Sequence, residues 1–305
     1  MADHHDHHHG HDHAPPRFGP AFAVGAALNI GLVAAQVVFG IAANSMALLA
    51  DAAHNAGDVL ALLLAWGAVV LGRRQPTARR TYGWGRSTII AALTNAVVLL
   101  IAVGAIAVEA GERLLSPSPV AGTTVIWVAG AGIVVNGLTA ALFARGHEDL
   151  NIRATFLHMA GDAAISAGVV LAAAAIVLTG RLWIDPLASL AIAALITVST
   201  WGVLRDAVNL AMDGVPSSIA QHDVEAWLSA LPGVVEVHDL HIWGLSTTDA
   251  ALTAHLVREE RADDQELIRL ASQGLGARFH IGHATLQIET PAVAESCRLR
   301  PAEVI

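Results

Sequence analysis

Six long apolar runs, at 20–43, 46–71, 87–110, 120–144, 155–179 and 184–210, leave this chain few ways to fold. A helix needs about 20 mostly apolar residues to cross roughly 30 Å of hydrocarbon, and each run is long enough. Inside a bilayer every backbone N–H and C=O must be satisfied within the protein, so runs of this length predict helices rather than open strands. Overall composition agrees, with 54% hydrophobic and 14% charged residues. An even number of spans puts both termini on one side. Arg73, Arg74, Arg79, Arg80, Arg86, Arg145 and Arg153 fall in the two loops on that side, against Arg113 and Arg181 on the other. The excess of Arg predicts cytoplasmic termini. The opening MADHHDHHHGHDHAPP lacks a basic stretch followed by an apolar core, so no cleavable signal is expected. Together with the high Ala content, this points to a multi-pass protein of the bacterial inner (cell) membrane.

Beyond about residue 211 the composition changes. Asp213-Gly214-Val215-Pro216 marks a boundary, after which charged residues return at globular density. A helix is expected from Ser217 or Ser218 to about Leu231, stopped by Pro232-Gly233. VVEVHDLHIWGL and AALTAHLVRE read as strands joined at STTD, a second helix covers about Asp263 to Phe279, and ATLQIE is a third strand. The expected architecture is an all-α membrane bundle of six helices followed by a small cytoplasmic α+β (ferredoxin-like) domain. The expected divisions are a His-rich tail at 1–17, the bundle at 18–211, the C-terminal domain at 212–290 and a tail at 291–305.

Ionisable groups inside apolar spans cost about 2.5–3.5 kcal/mol each on insertion scales, so they require partners or a role. Span two holds Asp51, His54 and Asp58; span five holds His158 and Asp162. His54/Asp58 and His158/Asp162 are both spaced i, i+4, which stacks each pair on one helix face. Two such helices facing each other converge two imidazoles and two carboxylates. That set can close a tetrahedron and suits Zn²⁺, Co²⁺ or Fe²⁺ better than soft Cu⁺. An interhelical hydrogen-bond network is the plainer alternative. Asp51, one turn earlier, reads equally as an outer partner of the site, a proton-path group or a structural hydrogen-bonding group.

The motifs SMALLADAAHNAGD, YGWGR, FLHMAGD, IDPLASL, DGVP, PGVVEVHDLHIW and HATLQIE, spread from Ser45 to Glu289, resemble the cation diffusion facilitator family, in its bacterial zinc/cadmium efflux branch. The resemblance implies a transport site of His54, Asp58, His158 and Asp162, and export of Zn²⁺, with Cd²⁺ or Co²⁺ as secondary substrates, in exchange for protons. It also implies a homodimer packed through its cytoplasmic domains. A second metal site there would use His241, His255, His283 and Glu289, with His238 as a further candidate near the dimer contact. Strand alternation, taken alone, places His238 and His241 on opposite faces. The chain departs from the family where many members carry an acid, at Thr88. The segment RRQPTARRTYGWGR has neither the His nor the Asp with which some members bind a further ion, so no metal is expected there. The loop before span five is reduced to His147-Glu148-Asp149.

The tail MADHHDHHHGHDH packs seven His and three Asp into 13 residues and reads as a flexible metal collector. The single cysteine, Cys297, excludes an internal disulfide and reads as an ordinary thiol in the tail. Asp185, beside Pro186, reads as a helix N-terminal cap, and Asn29, Asn55, Asn95 and Asn136 as bonds between helices. The Arg run at 73–86 is a topology anchor that could also form salt bridges where the two domains join. A formal charge of −9 with 16 His argues against a nucleic-acid face. No P-loop motif indicates nucleotide drive, and no His-Glu-x-x-His indicates a zinc hydrolase. A membrane metal sensor or chaperone that binds without transporting is the competing reading, disfavoured because a sensor needs no ligands at mid-membrane.

Overall fold

A computed structural model describes residues 20–72, 74–143, 150–259 and 263–300. The His-rich tail and His147-Glu148-Asp149 lie outside the described residues, as do Arg73 and Arg145. The six expected spans form helices α1 (Pro20–Ala42), α2 (Met46–Gly72), α3 (Ser87–Leu115), α4 (Gly122–Phe143), α5 (Leu150–Thr179) and α6 (Ile184–Ala211). Helices α2 to α6 each carry a stretch long and apolar enough to cross a membrane, and α1 adds a shorter apolar length, Ala27–Ala42. Their outward faces bear large exposed apolar side chains, with Trp127, Leu171 and Val198 each more than 70% exposed. Such a surface is unfavourable in water and suited to lipid.

The bundle core is built mostly from small residues. Ala43, Ala47, Leu48 and Ala50 meet Val103, Val125, Ala129, Val169, Ala173 and Ile196. Small side chains allow close backbone approach, which drives helix association in lipid where no hydrophobic difference does. Helix α4 lies along α5 and α3 along α6, while α2 and α5 meet only over a short stretch. Asn44, at φ 53°, makes the turn between α1 and α2; Asn tolerates that left-handed conformation better than most residues.

The C-terminal domain runs α7 (Gln221–Ser229), β1 (Val234–Gly244), β2 (Ala250–Arg258), α8 (Asp264–Phe279), β3 (Ile281–Glu289) and α9 (Pro291–Ser296). Its three-stranded sheet has the order β1-β2-β3, with β1 and β2 antiparallel and β2 and β3 parallel. Val224 and Leu228 of α7 and Leu267, Ala271 and Leu275 of α8 pack on Ile242, Leu252, Ala254, Leu256 and Ile281. Asp263 caps α8 by accepting from Gln265 N and Glu266 N. Two boundaries differ from the sequence reading. Helix α7 starts at Gln221, not at Ser217 or Ser218, because a turn closed from Ile219 N to Pro216 O sets Val215 and Ile219 against the core first. Residues 291–296, expected to be tail, form α9, with Thr290 before it and Pro at its first turn.

The register corrects the alternation argument. His238 pairs with His255 and His241 with Thr253, so three β1 residues face two β2 residues, with Asp239 at φ 52° in the bulge. His255 and Thr253 share a face of β2, so His238 and His241 share a face too. It is the face opposite α7 and α8.

The two domains touch through the segment before α3, the first turn of that helix and the end of α6. Arg86 pairs with Asp213, the Thr88 hydroxyl accepts from Thr247 N at 3.0 Å, and the Tyr82 ring meets the His283 ring edge-on at 5.3 Å. A side chain at Gly85 would lie 2.9 Å from the Leu245 carbonyl oxygen, so glycine permits this approach.

Candidate metal centres

The short meeting of α2 and α5 is polar. The two helices run antiparallel, so positions late in α2 stand level with positions early in α5. His54 Nε2 lies 3.0 Å from Asp162 Oδ1, and His158 Nε2 lies 3.5 Å from Asp58 Oδ1 and 3.8 Å from Asp162 Oδ2. The i, i+4 spacing puts each His above an Asp on its own helix, but the shorter pairings are crossed between helices. Ligand atoms of His54, Asp58 and Asp162 all lie within 4.8 Å of one another, and His158 flanks them, its ring 6.4 Å from that of His54. Asp58 Oδ2 is buried without a hydrogen-bond partner. A carboxylate oxygen left that way costs about 1–3 kcal/mol or more unless a ligand takes it.

Side-chain exposure rises from 4% at Asp162 and 15% at His54 to 34% at Asp58 and 47% at His158. The better covered end faces away from the C-terminal domain. There Asp51 accepts from Gln36 Nε2 at 2.6 Å and Ser166 Oγ at 3.0 Å, and Asn55 bonds to Gln36 Oε1 at 3.0 Å. Among the asparagines expected to join helices, Asn55 does so, whereas both side-chain polar atoms of buried Asn136 have no hydrogen-bond partner.

Asp185 is a cap, but of a different helix from the one it begins. Its carboxylate accepts from Ser45 Oγ at 2.5 Å, Met46 N at 2.6 Å and Ala47 N at 3.4 Å, at the start of α2. Ser45 Oγ in turn accepts from Leu48 N at 3.2 Å.

A second cluster lies on the open sheet face. Ligand atoms of His238, His255, Glu289 and Cys297 fall within 4.8 Å of one another. His255 Nδ1 is 3.0 Å from Glu289 Oε1 and 3.3 Å from His238 Nε2, and Cys297 Sγ is 3.6 Å from His255 Nδ1. His238, His255 and Glu289 are buried, and Glu289 Oε2 has no hydrogen-bond partner. Two sequence candidates stand apart from this cluster: His241 bonds to Asp239 at 2.9 Å, and His283 sits against Tyr82. Asp239 reaches both ways, since its other oxygen is 3.5 Å from His255 Nε2. Cys297, read from sequence as an ordinary tail thiol, is instead carried over the site by α9. Thr290-Pro291 was the readable sign of that helix. Beyond it Arg300 grips Glu236 through two bonds of 2.8 and 2.9 Å and holds that carboxyl below the usual carboxylate range.

A bundle of membrane helices with imidazoles and carboxylates paired between two of them, joined to an α+β domain with a second cluster of side chains that could hold a metal ion, fits a membrane carrier of cations. The chain belongs to the cation efflux family: residues 22–210 match the cation efflux transmembrane domain and residues 216–291 the cation efflux protein cytoplasmic domain. It is 36% identical over 276 residues to the zinc transporter ZitB of Escherichia coli strain K12, covering 89% of this chain and 88% of that protein. It is 34% identical over 268 residues to the cation efflux system protein CzcD of Alcaligenes sp. strain CT14, covering 87% and 85%. A cadmium, cobalt and zinc/H⁺-K⁺ antiporter of Bacillus subtilis strain 168 is 33% identical over 268 residues, covering 86% of each.

Proposed function

We propose that this protein exports Zn²⁺ from the cytoplasm in exchange for protons, with Cd²⁺ and Co²⁺ as further substrates, as a homodimer in the bacterial inner membrane with both termini cytoplasmic. The observation that carries this reading is the crossed pairing of His54 with Asp162 and His158 with Asp58 inside the bundle. Two neutral imidazoles and two carboxylates match the borderline ligand set of Zn²⁺ and balance its charge. The names of the relatives support the cation class and, for one of them, proton exchange.

The chemistry follows from what a ligand must be. Zn²⁺ binds only unprotonated imidazole and carboxylate, so protons and metal compete for the same atoms. The graded exposure supports loading from the end bearing His158 and Asp58, nearer the C-terminal domain. If the site then opens to the other side, protons entering down their gradient displace the ion. Proteoliposomes test this: zinc should accumulate in vesicles only when a pH gradient of the right sign is imposed. Stoichiometric binding with no gradient-driven accumulation would overturn the proposal in favour of a sensor.

The cluster of His238, His255, Glu289 and Cys297 is proposed as a second metal site, its thiolate favouring Zn²⁺ or Cd²⁺. Replacing a direct ligand should cost at least the about 10- to 100-fold seen for supporting residues. Equilibrium dialysis of Cys297→Ser should therefore show one of two classes of zinc site weakened by at least about 10-fold, with transport-site affinity unchanged. Unchanged binding in both classes would remove Cys297 from the site.

A further inference from the structure

One buried side chain of the bundle has polar atoms and nothing bonded to them. Asn136 of α4 is 1% exposed, and both its amide oxygen and its amide nitrogen lack a hydrogen-bond partner. It is the polar member of a buried stripe formed by Val125, Ala129, Gly132, Asn136 and Ala140, whose other residues are small or apolar. An amide left unpaired in an apolar interior is costly. Its presence there calls for a partner in another arrangement of the bundle.

The helix register shows what Asn136 stands beside. At Ser166 of α5 three helices converge: its hydroxyl donates to Asp51 of α2 at 3.0 Å, and a Cβ at Gly132 of α4 would lie 3.0 Å from it. Helix α4 runs antiparallel to α5, with Gly122 against Ala173 and Val177 and Gly132 against Ser166. Residues four apart share a helix face. One turn nearer the C-terminal domain, Asn136 therefore takes the place of Gly132, Asp162 that of Ser166, and His54 and Asn55 that of Asp51. Asn55 is already bonded to Gln36 of α1, and Leu32, one turn from Gln36, is apolar. Among the buried residues at this level, Asp162 is the acceptor left for Asn136.

Asp162 has a matching need. Its short bond is to His54 Nε2, at 3.0 Å. That nitrogen either donates to the carboxylate or binds a cation, because a neutral imidazole that ligates through Nε2 keeps its proton on Nδ1. Loading therefore takes the donor from Asp162 while one carboxylate oxygen turns to the ion. The other oxygen is then buried without a donor, whereas ligating carboxylates are normally hydrogen-bonded from behind. Asn136 has two N–H donors to offer. Two imidazoles and two carboxylates already complete a tetrahedron, so its oxygen is not needed on the ion.

Resting on the transport reading above, we infer that Asn136 is a positioning residue for the transport site. Its amide N–H donates to Asp162 when His54 turns from that carboxylate to the ion, and so holds Asp162 in its ligating orientation.

Equilibrium dialysis of Zn²⁺ against the full-length protein tests this. Asn136→Leu, which keeps the branched shape and loses the donors, should weaken the bundle site by about 10- to 100-fold and leave the C-terminal cluster unchanged. Asn136→Gln, which keeps the amide, should recover most of the lost affinity. Wild-type affinity in Asn136→Leu, or an equal loss in Asn136→Leu and Asn136→Gln, would overturn the inference and leave the transport reading intact. A wild type that binds no zinc at the bundle site would overturn both. Should Asn136→Leu not fold, Asn136→Ala, which matches the small Ala129 and Ala140 of the same stripe, carries the same comparison.

Discussion

Asp162→Asn is expected to reduce zinc transport in proteoliposomes to the level of empty vesicles while leaving a folded, monodisperse protein. Asp162 is the most enclosed of the four proposed ligands and the one that both histidines approach, at 3.0 Å from His54 and 3.8 Å from His158. Asparagine keeps the shape and one oxygen but removes the charge. Two unit charges 4 Å apart at an effective dielectric of 20 interact by about 4 kcal/mol. A divalent cation in contact with its ligand loses at least that much, and every 1.4 kcal/mol is about tenfold in affinity. Binding should therefore weaken by at least about 10³-fold. The neutral variant also removes one group for which protons and metal compete, so raising the zinc concentration should not restore gradient-driven exchange. Transport at wild-type rate by Asp162→Asn would sink the assignment of the site.

The spans were legible because length and hydropathy are blunt, strong signals: six runs became six helices with ends moved by a few residues. The His and Asp of spans two and five stood out for a related reason, that an ionisable group in lipid is too costly to be incidental. Partner choice was less legible. The i, i+4 spacing drew attention to pairs within each helix, and only the antiparallel arrangement of α2 and α5 turns these into crossed pairs. In the C-terminal domain, strict alternation failed at one bulge. Asp239 adds a residue to β1 and so brings His238 and His241 to the same face, a local event with no period to betray it. Cys297 was missed because a lone thiol near a chain end carries no spacing signal, and its place depends on α9 docking against β2 and β3. Gln36 could have been noticed as a polar residue inside an apolar run, on the same ground that picked out the asparagines.

Asp185 combines both lessons, and its substitution should have the second large effect. Its sequence position predicts a cap, and a cap it is, yet its donors lie about 140 residues away in the turn that starts α2. The first N–H groups of any helix have no partner within it, and here they are shut off from water, with Ser45, Met46 and Ala47 all buried. Asp185→Ala would leave the Ser45 hydroxyl and the Met46 N–H without their acceptor and remove a negative charge from the positive end of α2. Leaving these two buried donors unsatisfied costs about 1–3 kcal/mol each, a large share of the stability of a single domain. Thermal unfolding of the purified protein should shift down by several degrees. Asp185→Asn, which keeps one acceptor oxygen, should fall between. The same change should slow transport although no proposed ligand is touched, because Asp51, His54 and Asp58 follow in successive turns of the helix that Asp185 anchors. Wild-type melting in Asp185→Ala would show that α2 is positioned by its packing alone. Wild-type transport in a destabilised variant would separate the anchor from the site.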